Sequence, residues 1–198
     1  MTTQNIIAVY SLATSADIEQ GETWYRRAFD FASALTVPYG VDCLTAVGVI
    51  AALSPRNRWE RNMQDAERMI KVHASGGTFE DLMQLKVCTF NTGKEKAAQI
   101  LSKKVTDRTE LLAILKGPKL IEFFNCIMGD CEDVCIDGHA YSIWAGERIT
   151  VQNTPNIGVK LRRTIKADYQ SAAKQLNVAP CVVQAVTWCA WRRIHGQS

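Results

Sequence analysis

The chain lacks the alternation of apolar and polar residues that marks strands, and hairpin dipeptides such as Asn-Gly are nearly absent, which argues against a sheet-based fold. It also lacks an apolar run of membrane length: the longest, Leu44 to Leu53 and Cys181 to Trp191, suit buried helices, so no membrane partner is expected. The N-terminal residues carry neither the basic start nor the long apolar stretch of a secretory signal, and the expected location is the cytoplasm. The seven cysteines are odd in number and irregular in spacing, which fits reduced, buried thiols better than a disulfide framework. Strong charge is missing too. A net +3 permits contact with nucleic acid without demanding it.

What is present is a globular composition, 47% hydrophobic and 22% charged. At 198 residues the chain can build one substantial core or two small lobes. Apolar residues recur at helical spacing, and the fold class is all-α. The spacing predicts helices over Ala16 to Leu35, Val41 to Leu53, Arg58 to Ala74, Phe79 to Leu85, Lys94 to Lys103, Thr109 to Leu115, Pro118 to Met128, Gly138 to Arg148, Lys166 to Asn177 and Pro180 to His195. Thr78 with Asp81 reads as an N-cap with an acidic partner, and Pro118 and Pro180 sit where a first helical turn tolerates proline. Ser75 to Gly77 and Thr150 to Gly158 are the clearest loops, the second being the flexible one and a source of specificity residues.

Four groups of residues could carry chemistry. Lys119, in "LKGPK", stands near the start of a helix, where the positive end of the dipole is a poor place for a cation and a good one for an amine nucleophile. The plain alternative is a solvated surface lysine. Asp137, between Ile136 and Gly138, reads as the N-cap of the next helix, and a carboxylate held by backbone N–H groups is also fixed in direction for catalysis. In "LSPRNRWERN", Arg56, Arg58 and Arg61 with Trp59 either form a solvated turn over a core tryptophan or meet phosphate and a base face. Cys126, Cys131, Cys135 and His139 match no common zinc spacing and read as core thiols, so no metal is expected. In the C-terminal "TWCAWRRIHG", Trp188 and Trp191 are expected to pack inward while Arg192, Arg193 and His195 meet solvent or phosphate.

Taken together, "ALSPR", "TFNTGKEKAAQIL", "ILKGPK" and "CIDGH" resemble the helix-hairpin-helix superfamily of DNA glycosylases, the endonuclease III type, over roughly Val41 to Trp144. The resemblance puts Arg56 at the position that enters DNA near the extruded base, and Lys96 and Ala97 in the helix before the hairpin. It makes Gly117 a hairpin residue, Lys119 the Schiff-base lysine and Asp137, followed by His139, the catalytic aspartate; the 18 residues from Lys119 to Asp137 match the family spacing. The chain departs from the family at Leu115, where the first hairpin glycine would be, at Pro118 within the turn, and at Gly138 in place of a threonine. The four-cysteine motif is missing, so no iron–sulfur cluster or other cofactor is expected.

The resemblance implies a two-lobed helical fold with an interlobe cleft: a middle lobe about 41–136, and a second lobe about 1–40 plus 137–198. It implies a monomeric DNA N-glycosylase acting on a base flipped from double-stranded DNA, with AP-lyase chemistry if Lys119 forms a Schiff base. In that reading Asp137 and Lys119 are catalytic, and Arg56, Arg58, Trp59, Lys96, Gly117 and His139 bind DNA or the base. One alternative is a phage enzyme of the same scaffold that attaches amines or amino acids to thymine in hypermodified DNA. The other is a non-catalytic DNA-binding protein.

Overall fold

The computed structural model describes residues 2–150 and 153–196. Among these the fold is all-α. Twelve helices follow one another: α1 (Thr2–Ser11), α2 (Ser15–Ala34), α3 (Thr36–Tyr39), α4 (Cys43–Leu53), α5 (Trp59–Ala74), α6 (Phe79–Gln84), α7 (Asn91–Ser102), α8 (Arg108–Leu115), α9 (Pro118–Ile127), α10 (Gly138–Ala145), α11 (Val159–Leu176) and α12 (Pro180–Ile194). Among the described residues no helix is long and apolar enough to cross a membrane.

The chain divides into two compact units. One holds the segment up to Tyr25 together with the segment from Gly129 onward; the other is Arg26–Met128. Residues 26–40 thus lie with the middle of the chain, and 129–136 with its C-terminal part.

In the middle unit α4 is the central element. Asp42 caps it by accepting from the Thr45 N–H at 2.8 Å, and its apolar residues face every side, which is the pattern of a helix enclosed by others. The helices α5, α7, α8 and α9 all pack on it. Thr78 and Asp81 form a reciprocal capping box at α6. Pro118 begins α9, as Pro180 begins α12 in the other unit.

The terminal unit closes around Ile6, Ile136, Ile143, Tyr169, Val183 and Trp191, with α1 packed on α10, α11 and α12. Asp168 fastens three of these helices, accepting from Thr2 Oγ1 at 2.6 Å, Thr3 Oγ1 at 2.9 Å and Trp144 Nε1 at 2.6 Å. α2 crosses α12 at Gly21, where a Cβ would stand 2.6 Å from the Val186 Cα, so only glycine permits this approach.

Several expectations are corrected. α1 was not anticipated. α11 starts at Val159, well before Lys166, because the exposed Val159 and the charges of its first turns hide the buried stripe of Ile165, Tyr169 and Ala172. α10 stops at Ala145 and not at Arg148, since Gly146 takes the left-handed conformation at φ 79°. In the expected flexible loop, Val151 and Gln152 lie outside the described residues. Cys88 and Cys131 are exposed where burial was expected.

Arg193 is exposed as expected and is also held by its own fold: its Nε donates to Asp17 at 2.8 Å and its Nη2 to the Leu12 carbonyl at 2.8 Å. Burial alone would raise the Asp17 carboxyl, but the hydrogen bonds from the Thr14 N–H, Arg193 and the Thr14 hydroxyl outweigh it and hold the group below the usual range. A carboxyl depressed in the folded state adds stability that is complete above its unfolded value of about 3.9 and is lost as pH falls through the folded value. The melting temperature should therefore drop on acidification below about pH 4, and drop less steeply in Asp17→Asn; parallel melting curves across that range would exclude the role.

Candidate functional site

In the terminal unit the candidate residues gather at the start of α10. The approach is a buried segment, Val134 to Ile136, whose Ile136 carbonyl accepts from Arg162 Nη1 at 2.9 Å and whose neighbour Asp133 pairs with Lys166. The chain then turns, and half-buried Asp137 caps α10 by accepting from the Ala140 N–H at 2.8 Å. Tyr169 lies fully buried beneath it; burial drives its phenol far above the ordinary range, and the charge of Asp137 adds to this. A Cβ on Gly138 would meet only Thr154 Oγ1, at 3.7 Å, so packing does not demand glycine there.

Two residues beyond Asp137, His139 joins an aromatic cluster. His139 presents its ring edge to Trp188 at 6.1 Å, Trp188 leans on Trp24 at 4.9 Å, and the Arg192 guanidinium lies over the Trp188 ring at 4.3 Å. All four are half-buried. Trp188 therefore does not pack inward as expected, whereas Trp191 does, only 8% exposed and 4.2 Å from the His195 ring. Burial first, then the neighbouring Arg148 and His139, lower the His195 pKa. The arrangement offers a carboxylate of fixed direction, two indole faces and a cation within one unit.

In the middle unit Arg56 is exposed in the turn after α4 and has a left-handed backbone, φ 54°. A non-glycine residue held there costs roughly 1–2 kcal/mol, and such strain concentrates at functional sites. Its guanidinium lies 5.0 Å from the ring of Phe90, which is 48% exposed. The turn is locked from below: Thr89 Oγ1 donates to the Pro55 carbonyl at 3.0 Å, and fully buried Asp65 accepts from the Cys88 N–H at 2.8 Å, Arg61 Nε at 3.0 Å and Asn57 Nδ2 at 3.4 Å. Arg58 is exposed at the N-cap of α5. Trp59, the first residue of α5, is half-buried with its ring edge-on to Phe123 of α9 at 6.5 Å.

The turn between α8 and α9 contains only Lys116 and Gly117. Lys116, not Gly117, adopts the left-handed conformation, at φ 51°. The Leu115 carbonyl accepts from both the Gly117 N–H and the Lys96 amine, so Lys96 is engaged at the turn. Burial first, and the charge of Lys116 second, lower the Lys96 pKa. Half-buried Lys119 follows as the second residue of α9.

The structure thus brings Lys96 and Gly117 to one carbonyl with Lys119 two residues beyond Gly117, and sets Arg56 and Arg58 on a shared loop. Asp137 and His139 belong to the terminal unit, Lys119 to the middle one. Sequence reasoning missed Trp24, Phe90 and Asp65. Phe90 was legible in principle as a large apolar residue at an N-cap position, where only a polar side chain could serve the helix; Trp24 and Asp65 carry no local signal. Among the described residues no group of three or more His, Cys, Asp or Glu is placed to hold a metal ion.

The family model that matches is described as a family of unknown function (DUF7178), and it covers residues 1–195. No curated protein and no solved structure matches the chain.

Proposed function

The chain belongs to this family of unknown function, and from its own residues we propose that it is a DNA N-glycosylase with a helix-hairpin-helix glycosylase-like fold, acting on a modified or damaged base. The observation that carries the reading is the capping carboxylate of Asp137 at the start of the helix whose His139 joins the Trp188, Trp24 and Arg192 cluster. Breaking the bond from C1′ to a base nitrogen builds positive charge on the sugar, and a fixed carboxylate stabilises that charge without reorganising. The indole faces supply stacking for a base taken out of its duplex, an extrusion that costs a few kcal/mol. Arg192 pairs with phosphate or adds a cation to the stack.

Lys119 is the amine that extends the reaction to strand cleavage: its nitrogen bonds to C1′ as the base leaves, the C1′–O4′ bond opens to give an imine, and elimination expels the 3′ phosphate. Arg56, held in its strained turn over Phe90, is the side chain that enters the DNA, with Arg58 on phosphate and Trp59 in support. The reading takes the protein as a monomer on double-stranded DNA, needing no cofactor.

The altered hairpin favours a second reading. Lys116 holds the left-handed place that glycine occupies most cheaply, and Lys96 is engaged on the Leu115 carbonyl. A changed hairpin suits an enzyme that modifies thymine in hypermodified DNA by adding an amine or amino acid. The test is a panel of oligonucleotides bearing damaged and hypermodified bases, read by mass spectrometry of the released bases and the remaining nucleosides. A free base supports excision, and a borohydride-trapped adduct mapped to Lys119 supports the lyase step. A heavier nucleoside transfers the assignment to base modification, and salt-dependent binding without any product would end both enzymatic readings.

A further inference from the structure

Cys131 lies exposed in the turn that follows Gly129, while Cys181, the second residue of α12, is only 3% exposed. They meet through the backbone, where the Cys181 N–H donates to the Cys131 carbonyl at 3.1 Å, and Cys131 is near enough to raise the Cys181 thiol. The turn itself leads into the segment that carries Asp137: the Glu132 carbonyl accepts from Gln170 Nε2 at 3.3 Å, Asp133 pairs with Lys166, and four residues later the chain reaches the cap of α10.

We propose that Cys131 and Cys181 are a peroxide-modification site, closing a reversible disulfide that fastens this turn to the start of α12. The two positions divide the work by accessibility. Cys131, open to solvent, attacks the peroxide: its sulfur–oxygen bond forms, the oxygen–oxygen bond breaks, and the departing oxygen leaves as water. Cys181 then attacks the resulting sulfenic acid, the sulfur–sulfur bond forms, and the hydroxyl leaves with the Cys181 proton as a second water. The thiols lose two electrons and the peroxide gains them. Burial first and Cys131 second push the Cys181 thiol up to about 12, which with its burial leaves first contact with oxidant to the exposed Cys131. The inference does not depend on the glycosylase reading.

The test uses the full chain, reduced, freed of reductant, treated with hydrogen peroxide and then alkylated. The expected product is a monomer lighter by about 2 Da before alkylation, with five of the seven cysteines alkylated and one peptide pair linked through Cys131 and Cys181. Dithiothreitol should reverse it. Cys131→Ser should give no linked pair, and Cys181→Ser should leave a sulfenic acid at Cys131 that dimedone captures. The bond should raise the melting temperature by roughly 5–10 °C, because it closes a long loop of the unfolded chain. Oxidation of wild-type Cys131 to sulfinic acid while Cys181 remains alkylatable would overturn the proposal, as would linkage of Cys131 to another cysteine or no rise in melting temperature. Peptide mapping of wild type decides the matter even where a serine variant fails to fold.

Discussion

Asp137→Asn is expected to lower base release by at least about 10²-fold while leaving the melting temperature and DNA affinity close to wild type. The reasoning separates two duties of one side chain. As the cap of α10, Asp137 needs only an oxygen to accept the Ala140 N–H at 2.8 Å, and an asparagine amide supplies one equally well. As the stabiliser of a cationic sugar it needs its negative charge, which the amide lacks. Asp137→Ala removes both and should in addition cost about 1 kcal/mol of stability. Single-turnover assays beside thermal melts resolve the pair of effects. An asparagine variant that turns over like wild type would remove Asp137 from the chemistry and leave it a cap.

The second large effect is expected at Asp65, a residue with no contact to substrate in the proposed reaction. Its buried carboxylate gathers Cys88, Arg61 and Asn57, and Arg68 Nη1 lies 3.9 Å away. Asp65→Ala leaves the Cys88 N–H and the Asn57 amide without that acceptor and opens a cavity, at a cost of about 2–4 kcal/mol. The two arginines are nearly half exposed and recover water, which keeps the loss below that of a wholly buried ion pair. Hydrogen exchange over residues 86–93 is the direct readout: the Cys88 amide should lose its protection in Asp65→Ala and keep most of it in Asp65→Asn, whose amide oxygen still accepts. Unchanged exchange in the alanine variant would show that the turn carrying Arg56 is held by other means.

Legibility in the sequence followed the range of the forces involved. The caps at Thr78 and Asp137, the prolines opening α9 and α12, and the enclosed apolar α4 were all readable because each signal lies within a few residues of what it controls. α1 was not readable. It shows only Ile6 and Val9 as buried residues, and its hydroxyls at Thr2 and Thr3 are fixed by Asp168, far along the chain. The candidate site divides the same way. Asp137 announced itself between an apolar run and a glycine, but Trp24 meets Trp188 only because two distant helices cross closely. Arg56 could be placed on its loop, whereas its left-handed backbone and the buried Asp65 beneath it depend on tertiary packing.

The crossing at Gly21 carries an evolutionary consequence. Any mutation there adds atoms where the Val186 backbone already stands, and α12 is the helix that presents Trp188 and Arg192. Drift at position 21 would thus be suppressed by exclusion of volume alone, so an unvarying glycine among kindred chains would record how near two helices run, and would be misread as a mark of chemistry.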